Sequence, residues 1–190
     1  MNVPGAGRSV SKDYILVIFI LGLITISTQI VLLREFLSIF YGNELVVGII
    51  LTNWMLLTGL GAYIGRISEK YIPSIAASLY FLVVLTLLPL LLVFLMYYLR
   101  DIVFIPGTMI NLLQIFLSSF ILLLPFCLLS GFNFTLLSYI LSRDYGRNLI
   151  SKAYSWESTG SIVGGILFNL VLIWFLQTFE SISLLVAVLF

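Results

Sequence analysis

From Tyr14 onward the chain is a succession of apolar runs of about 20 residues or more, separated by short turns that carry the polar residues, glycines and prolines. Runs of that length suit α-helices crossing a hydrocarbon layer about 30 Å thick, whereas the strands of a membrane barrel alternate over about 10 residues. No stretch alternates in that way, so the pattern predicts membrane helices. Composition agrees: 62% of the 190 residues are hydrophobic, 9% are charged, and the mean hydropathy is +1.21, far from a soluble domain. A net charge of +1 offers no basic surface, and nucleic acid is not an expected partner.

The runs predict an all-α membrane protein built as a six-helix bundle, with spans at about 14–40, 44–64, 75–99, 109–141 and 156–179 and a sixth at 181–190. Ten helical residues reach only about 15 Å, so the sixth span is read as incomplete. Residues 1–13 are read as a cytoplasmic tail, and the first span as retained, because no small-residue cleavage site follows Tyr14 to Leu33. A turn is expected at Gly42-Asn43, a kink at Pro89 and a connector broken by Pro106-Gly107. The fourth run is too long for one straight crossing and is expected to bend or break at Pro125 or at Ser130-Gly131-Phe132-Asn133. With the N-terminus inside, seven of the nine cations (Arg8, Lys12, Arg66, Lys70, Arg143, Arg147 and Lys152) face the cytoplasm, against Arg34 and Arg100 outside. That asymmetry sets the expected orientation, in a multi-pass inner (cytoplasmic) membrane protein of prokaryotic type.

Polar groups inside a span are costly unless partnered, so each is a candidate site. Gln29, Asn53 and Asn169 lie near the middle of spans one, two and five, with Thr25 and Thr28 on the face of Gln29. These three amides are expected either to form a small polar cavity for a hydrogen-bonding solute or to join helices. No carboxylate sits centrally in a span, which weighs against a bare cation. Charges gather at the edges: Arg34 with Glu35, Arg66, and Glu157, which falls in the first turn of a span begun at Trp156. Glu157 is expected to answer the helix dipole there or to pair with Arg66. The chain has no histidine and one cysteine, Cys127 in an apolar stretch. No metal or other cofactor is expected, and no catalytic cluster is visible.

The glycines read as packing positions. Gly61 and Gly65 are four apart, as are Gly160 and Gly164, with Gly59 and Gly165 widening the same smooth faces. Small residues at that spacing let two helix backbones approach closely. The two faces are expected to meet each other or a partner chain.

Four blocks carry a resemblance: Gln29-Ile30-Val31-Leu32-Leu33-Arg34-Glu35 with Phe40-Tyr41-Gly42-Asn43; Gly59-Leu60-Gly61-Ala62-Tyr63-Ile64-Gly65-Arg66; Leu124-Pro125-Phe126-Cys127-Leu128-Leu129-Ser130-Gly131; and Tyr154-Ser155-Trp156-Glu157-Ser158-Thr159-Gly160-Ser161 with Gly164-Gly165. In this order they resemble the N-terminal membrane region of the spermidine-synthase-like membrane proteins, in which a helical bundle precedes a cytosolic Rossmann-type, aminopropyltransferase-like domain. The same blocks are similar to half of a major facilitator transporter, whose loop between spans two and three is matched at Gly61 to Arg66, with Gly65 where an aspartate is usual. The sequence holds no glycine-rich strand turn or cofactor acid of a Rossmann-type domain, so aminopropyl transfer is not expected of it. The edge-placed charges, the paired glycine faces and the lack of a catalytic cluster point to a membrane scaffold or anchor that contacts the lipid bilayer and packs against a membrane-protein partner or its own copies. Two alternatives are a half-transporter for a small amine or metabolite and the membrane part of an aminopropyltransferase-like enzyme.

Overall fold

The computed structural model describes residues 10–40, 44–68, 74–103, 111–146 and 148–172. Among these residues the chain is all helical: α1 Lys12–Ile39, α2 Glu44–Ser68, α3 Ile75–Val103, α4 Leu112–Asp144 and α5 Ile150–Leu167, the last running into a π-helical turn, Phe168–Leu172. Four of them, α1 to α4, are long and apolar enough to cross a membrane, the make-up of a multi-pass membrane protein. The described part of α5 is shorter, 18 residues, and richer in serine and glycine. Residues 1–9 of the expected tail, the Gly42-Asn43 turn, Pro106-Gly107, the last turns of span five and the sixth span at 181–190 lie outside the described residues, and the last two residues of the expected tail, Lys12 and Asp13, open α1.

The two closest pairings join helices that are not neighbours in sequence. The closest pairings are α2 with α4 and α1 with α5, and α3 lies against α4 and α1. Both close pairs run parallel. Gly61 and Gly65 meet Leu128 and Phe132 in ascending order, as Phe19 and Leu23 meet Gly160 and Gly164. Lipid tails are as apolar as leucine, so burying apolar surface does not by itself drive such helices together; close backbone approach and interhelical hydrogen bonds do. The apolar core that results runs through Leu21, Leu32, Leu85, Leu123 and Phe126, all nearly inaccessible.

Two boundaries differ from expectation. Span four does not break: α4 continues through Pro125 and Gly131 for 33 residues, about 50 Å at 1.5 Å per residue. It is closed at its start by a capping box between Asn111 and Gln114, and at its end by Gly146 in the left-handed conformation, φ 61°. The excess over a bilayer puts polar ends, Asn111 at one and Arg143 with Asp144 at the other, outside the apolar layer. The fifth helix begins at Ile150, not Trp156, so Glu157 lies two turns inside it and no acidic residue occupies its first turn. Ser151, Lys152 and Ser155 made that stretch look like loop, yet they form the helix's exposed early turns.

Candidate functional site

At the heart of the molecule two glycine seams hold the helix pairs. Along α2 and α4, Cβ atoms added to Gly61 and Gly131 would overlap the carbonyl oxygens of Leu128 and Thr58, and Gly65 lies against Phe132 and Thr135. Along α1 and α5, Gly22 abuts the backbone of Glu157 and Gly160 that of Phe19, while Gly164 faces Leu23 and Ile26. Gly165 only grazes Ile26, at 3.9 Å, and Gly59 has nothing within 4 Å. The two predicted glycine faces therefore do not meet each other. Each is filled by another helix of the same chain, with Gly131 and Gly22 as partners that spacing alone did not point to.

The polar side chains follow the same pairing. Asn53, fully buried, donates to the Phe116 carbonyl at 3.0 Å and to Ser119 Oγ at 2.8 Å, tying α2 to α4. Thr25 Oγ1 lies 3.2 Å from Ser130 Oγ, joining α1 to α4, and Ser78 donates to Asn133 Oδ1, joining α3 to α4. The single proton of Ser161 Oγ has two acceptors in reach, the Gly22 carbonyl at 3.2 Å and Glu157 Oε1 at 3.4 Å, which sets that carboxylate beside the α1–α5 seam. Asn169 is exposed and donates to Gly165 of its own helix at 2.8 Å; Gln29 is half-buried on α1. Of the three mid-span amides, Asn53 is thus engaged in the α2–α4 seam and Asn169 on its own backbone.

The charged candidates also separate. Glu35 is buried, 3% exposed, and accepts from Tyr97 Oη at 2.7 Å, bonding α1 to α3. Arg34 and Arg66 are exposed, and Arg66 forms no ion pair with Glu157. At the other end of α1, Tyr14 donates to Asp144 at 2.5 Å, the Ser11 amide donates to Tyr145 Oη at 2.6 Å, and Arg143 pairs with Asp144 at 3.0 Å. This latch joins the start of α1 to the end of α4. Its members are ordinary interfacial residues in sequence, and only the fold makes them neighbours.

Among the described residues no three His, Cys, Asp or Glu side chains gather into a possible metal site, and Cys127 is a buried free thiol. The chain matches no protein-family model, curated protein or solved structure. The likeness to the spermidine-synthase-like membrane proteins consequently rests on its four residue blocks alone.

Proposed function

We propose that the chain is an integral membrane scaffold, the bundle of a spermidine-synthase-like membrane protein, residing in a prokaryotic cytoplasmic membrane and packing against another membrane subunit. One observation carries this reading: α2 keeps a second small-residue face after its first has been filled by α4. Gly48, Thr52, Met55, Gly59 and Arg66 project to one side of α2, all exposed, and Gly48 and Gly59 each have open space where a Cβ would stand. Thr52 returns its hydroxyl to the Gly48 carbonyl at 2.7 Å, so the face stays smooth and locally satisfied. A surface of this kind suits close approach by a further helix. On this reading the chain also seats a soluble domain on the cytoplasmic side, where a Rossmann-type fold stands in the proteins it resembles.

The test is purification in mild detergent with intact mass measurement. A stoichiometric membrane partner, lost on Gly59→Leu while the monomer's unfolding is unchanged, supports the scaffold. A lone monomer removes it.

A second reading, a six-helix half-transporter of major facilitator type for a small amine or metabolite, is favoured by the pairing of α1 with α5 and α2 with α4, which leaves α2 and α5 each an exposed flank for a second bundle. It requires water at Gln29, Asn53 and Asn169. Cysteines at those positions that resist hydrophilic thiol reagents from both sides of the membrane would count against it.

A further inference from the structure

Read along the chain, Glu157 stands at the threshold of span five; in the fold it lies far inside the apolar layer. Its backbone packs on Gly22, the ninth of the 20 residues in the apolar run Tyr14 to Leu33. The eight helical residues from Tyr14 to Gly22 rise about 12 Å, and the seven from the start of α5 to Glu157 about 10 Å. In a hydrocarbon layer about 30 Å thick, both measures put this residue within roughly one turn of the midplane. A carboxyl therefore does sit centrally, which hydropathy alone did not disclose.

Glu157 has one partner among the described residues, Ser161. Ser161 Oγ stands 3.4 Å from Glu157 Oε1 and 3.2 Å from the Gly22 carbonyl oxygen, and a hydroxyl carries a single proton. Beside an ionised carboxylate that proton serves one acceptor or the other, and the charge keeps at most one donor in an apolar seam. A neutral acid leaves nothing over: the acid donates to Ser161 Oγ, and Ser161 donates to the Gly22 carbonyl. Burying an unpaired carboxylate is costly, and a bound proton removes that cost.

No side-chain cation stands in for the proton. The helices packed on α5 are α1 and α4. To this seam α1 turns Phe19, Gly22, Leu23 and Ile26, none of them titratable; Lys12, Asp13 and Tyr14 lie at its foot, and Arg34 and Glu35 more than three turns above Gly22. On the same half of α4 are Tyr139 and the terminal Arg143, Asp144 and Tyr145, where Asp144 holds Arg143 and Tyr14. On α5 itself Lys152 and Tyr154 are exposed.

We propose that Glu157, Ser161 and the Gly22 carbonyl form an intramembrane proton-binding site whose resident form is the neutral acid, so that the packing of α1 on α5 depends on a bound proton.

The experiment treats the full chain in detergent micelles with dicyclohexylcarbodiimide, a lipid-soluble reagent for protonated carboxyls, and maps the adduct by peptide mass spectrometry. Glu157 is only partly covered, so the reagent reaches it. At neutral pH the adduct forms on Glu157, is missing from the exposed Asp13 and Asp144, and is lost in Glu157→Gln. Unfolding in the same micelles gives a second readout. The unfolded chain releases this proton near the ordinary glutamate value of about 4.3 while the folded chain keeps it, so stability falls as pH rises, by at most tenfold in the unfolding equilibrium per pH unit. Glu157→Gln, which still offers Ser161 a neutral donor, removes that part of the slope and unfolds no more easily than the wild type at about pH 6. Labelling is read on the unaltered chain, so the test stands even if the variant fails to fold. No adduct on Glu157 at neutral pH, the same pH slope in wild type and variant, or a variant weaker than wild type at every pH would each overturn the proposal. So would protection from labelling by sodium at constant pH, which would assign the carboxylate to a metal cation.

Discussion

A single methyl group is the unit of selectivity in this bundle. At Gly22, Gly61, Gly131 and Gly160 the neighbouring atom is backbone, which cannot rotate away, so adding a Cβ must push two helices apart. Gly131→Ala and Gly160→Ala should each destabilise by about 1–3 kcal/mol, the cost of overpacking, whereas Gly59→Ala should stay within about 0.5 kcal/mol. Thermal or SDS-driven unfolding in detergent would measure all three, and equal effects at Gly59 and Gly131 would refute the seam assignment. Asn53→Ala should cost about 0.6 to 2 kcal/mol, the span measured for interhelical hydrogen bonds. The four-residue spacing made Gly61, Gly65, Gly160 and Gly164 legible as packing positions. It did not disclose their partners, because a glycine face says that something comes close and not what. Gly22 and Gly131 stand without a second glycine four residues away and gave no such signal.

At the scale of the helix, hydropathy placed the apolar centres well and the ends poorly. A helix in a membrane starts where its backbone first bonds to itself, and for α5 that happens in the polar stretch Ser151, Lys152 and Ser155, ahead of the apolar run. Glu157 was therefore read as answering a helix start, although it belongs to a helix contact. In α4, Pro125 lacks an N–H, but the loss of one bond in a helix held along its length by α2 does not end it. Loss of the capping box should be felt more. Asn111→Ala should destabilise by about 1 kcal/mol and loosen the first turn of α4 in hydrogen exchange, while Asn111→Asp should retain most of the stability. Between α1 and α3, Tyr97→Phe removes the hydroxyl that satisfies a nearly buried carboxylate, and Glu35→Gln in that background should recover part of what is lost. A double-mutant cycle on unfolding midpoints reads this coupling directly; strict additivity would exclude it.

The molecule as a whole is ordered by two parallel pairs, α1 with α5 and α2 with α4. Lys12, Arg66, Arg143 and Lys152 stand at the helix ends gathered on the side of the latch, and Arg34 and Arg100 at the opposite ends, so charge predicts that the latch side is cytoplasmic. A reporter fused ahead of Ser11 should be active only inside the cell, and one inserted at position 108 only outside; the reverse result would invert the bundle. That the chain is built of long apolar helices could be read from its runs, but pairing could not, since nothing in a linear pattern says that the first helix waits for the fifth. That wait has a consequence for how the chain is made. Insertion proceeds from the N-terminus, so α2 enters the bilayer carrying Asn53 and its bare glycine face before the residues that satisfy them have been synthesised. A ribosome stalled before α4 would hold a half-made product with an unquenched amide in lipid, the kind of exposed flaw that membrane quality-control proteases and insertion chaperones can distinguish from the finished protein.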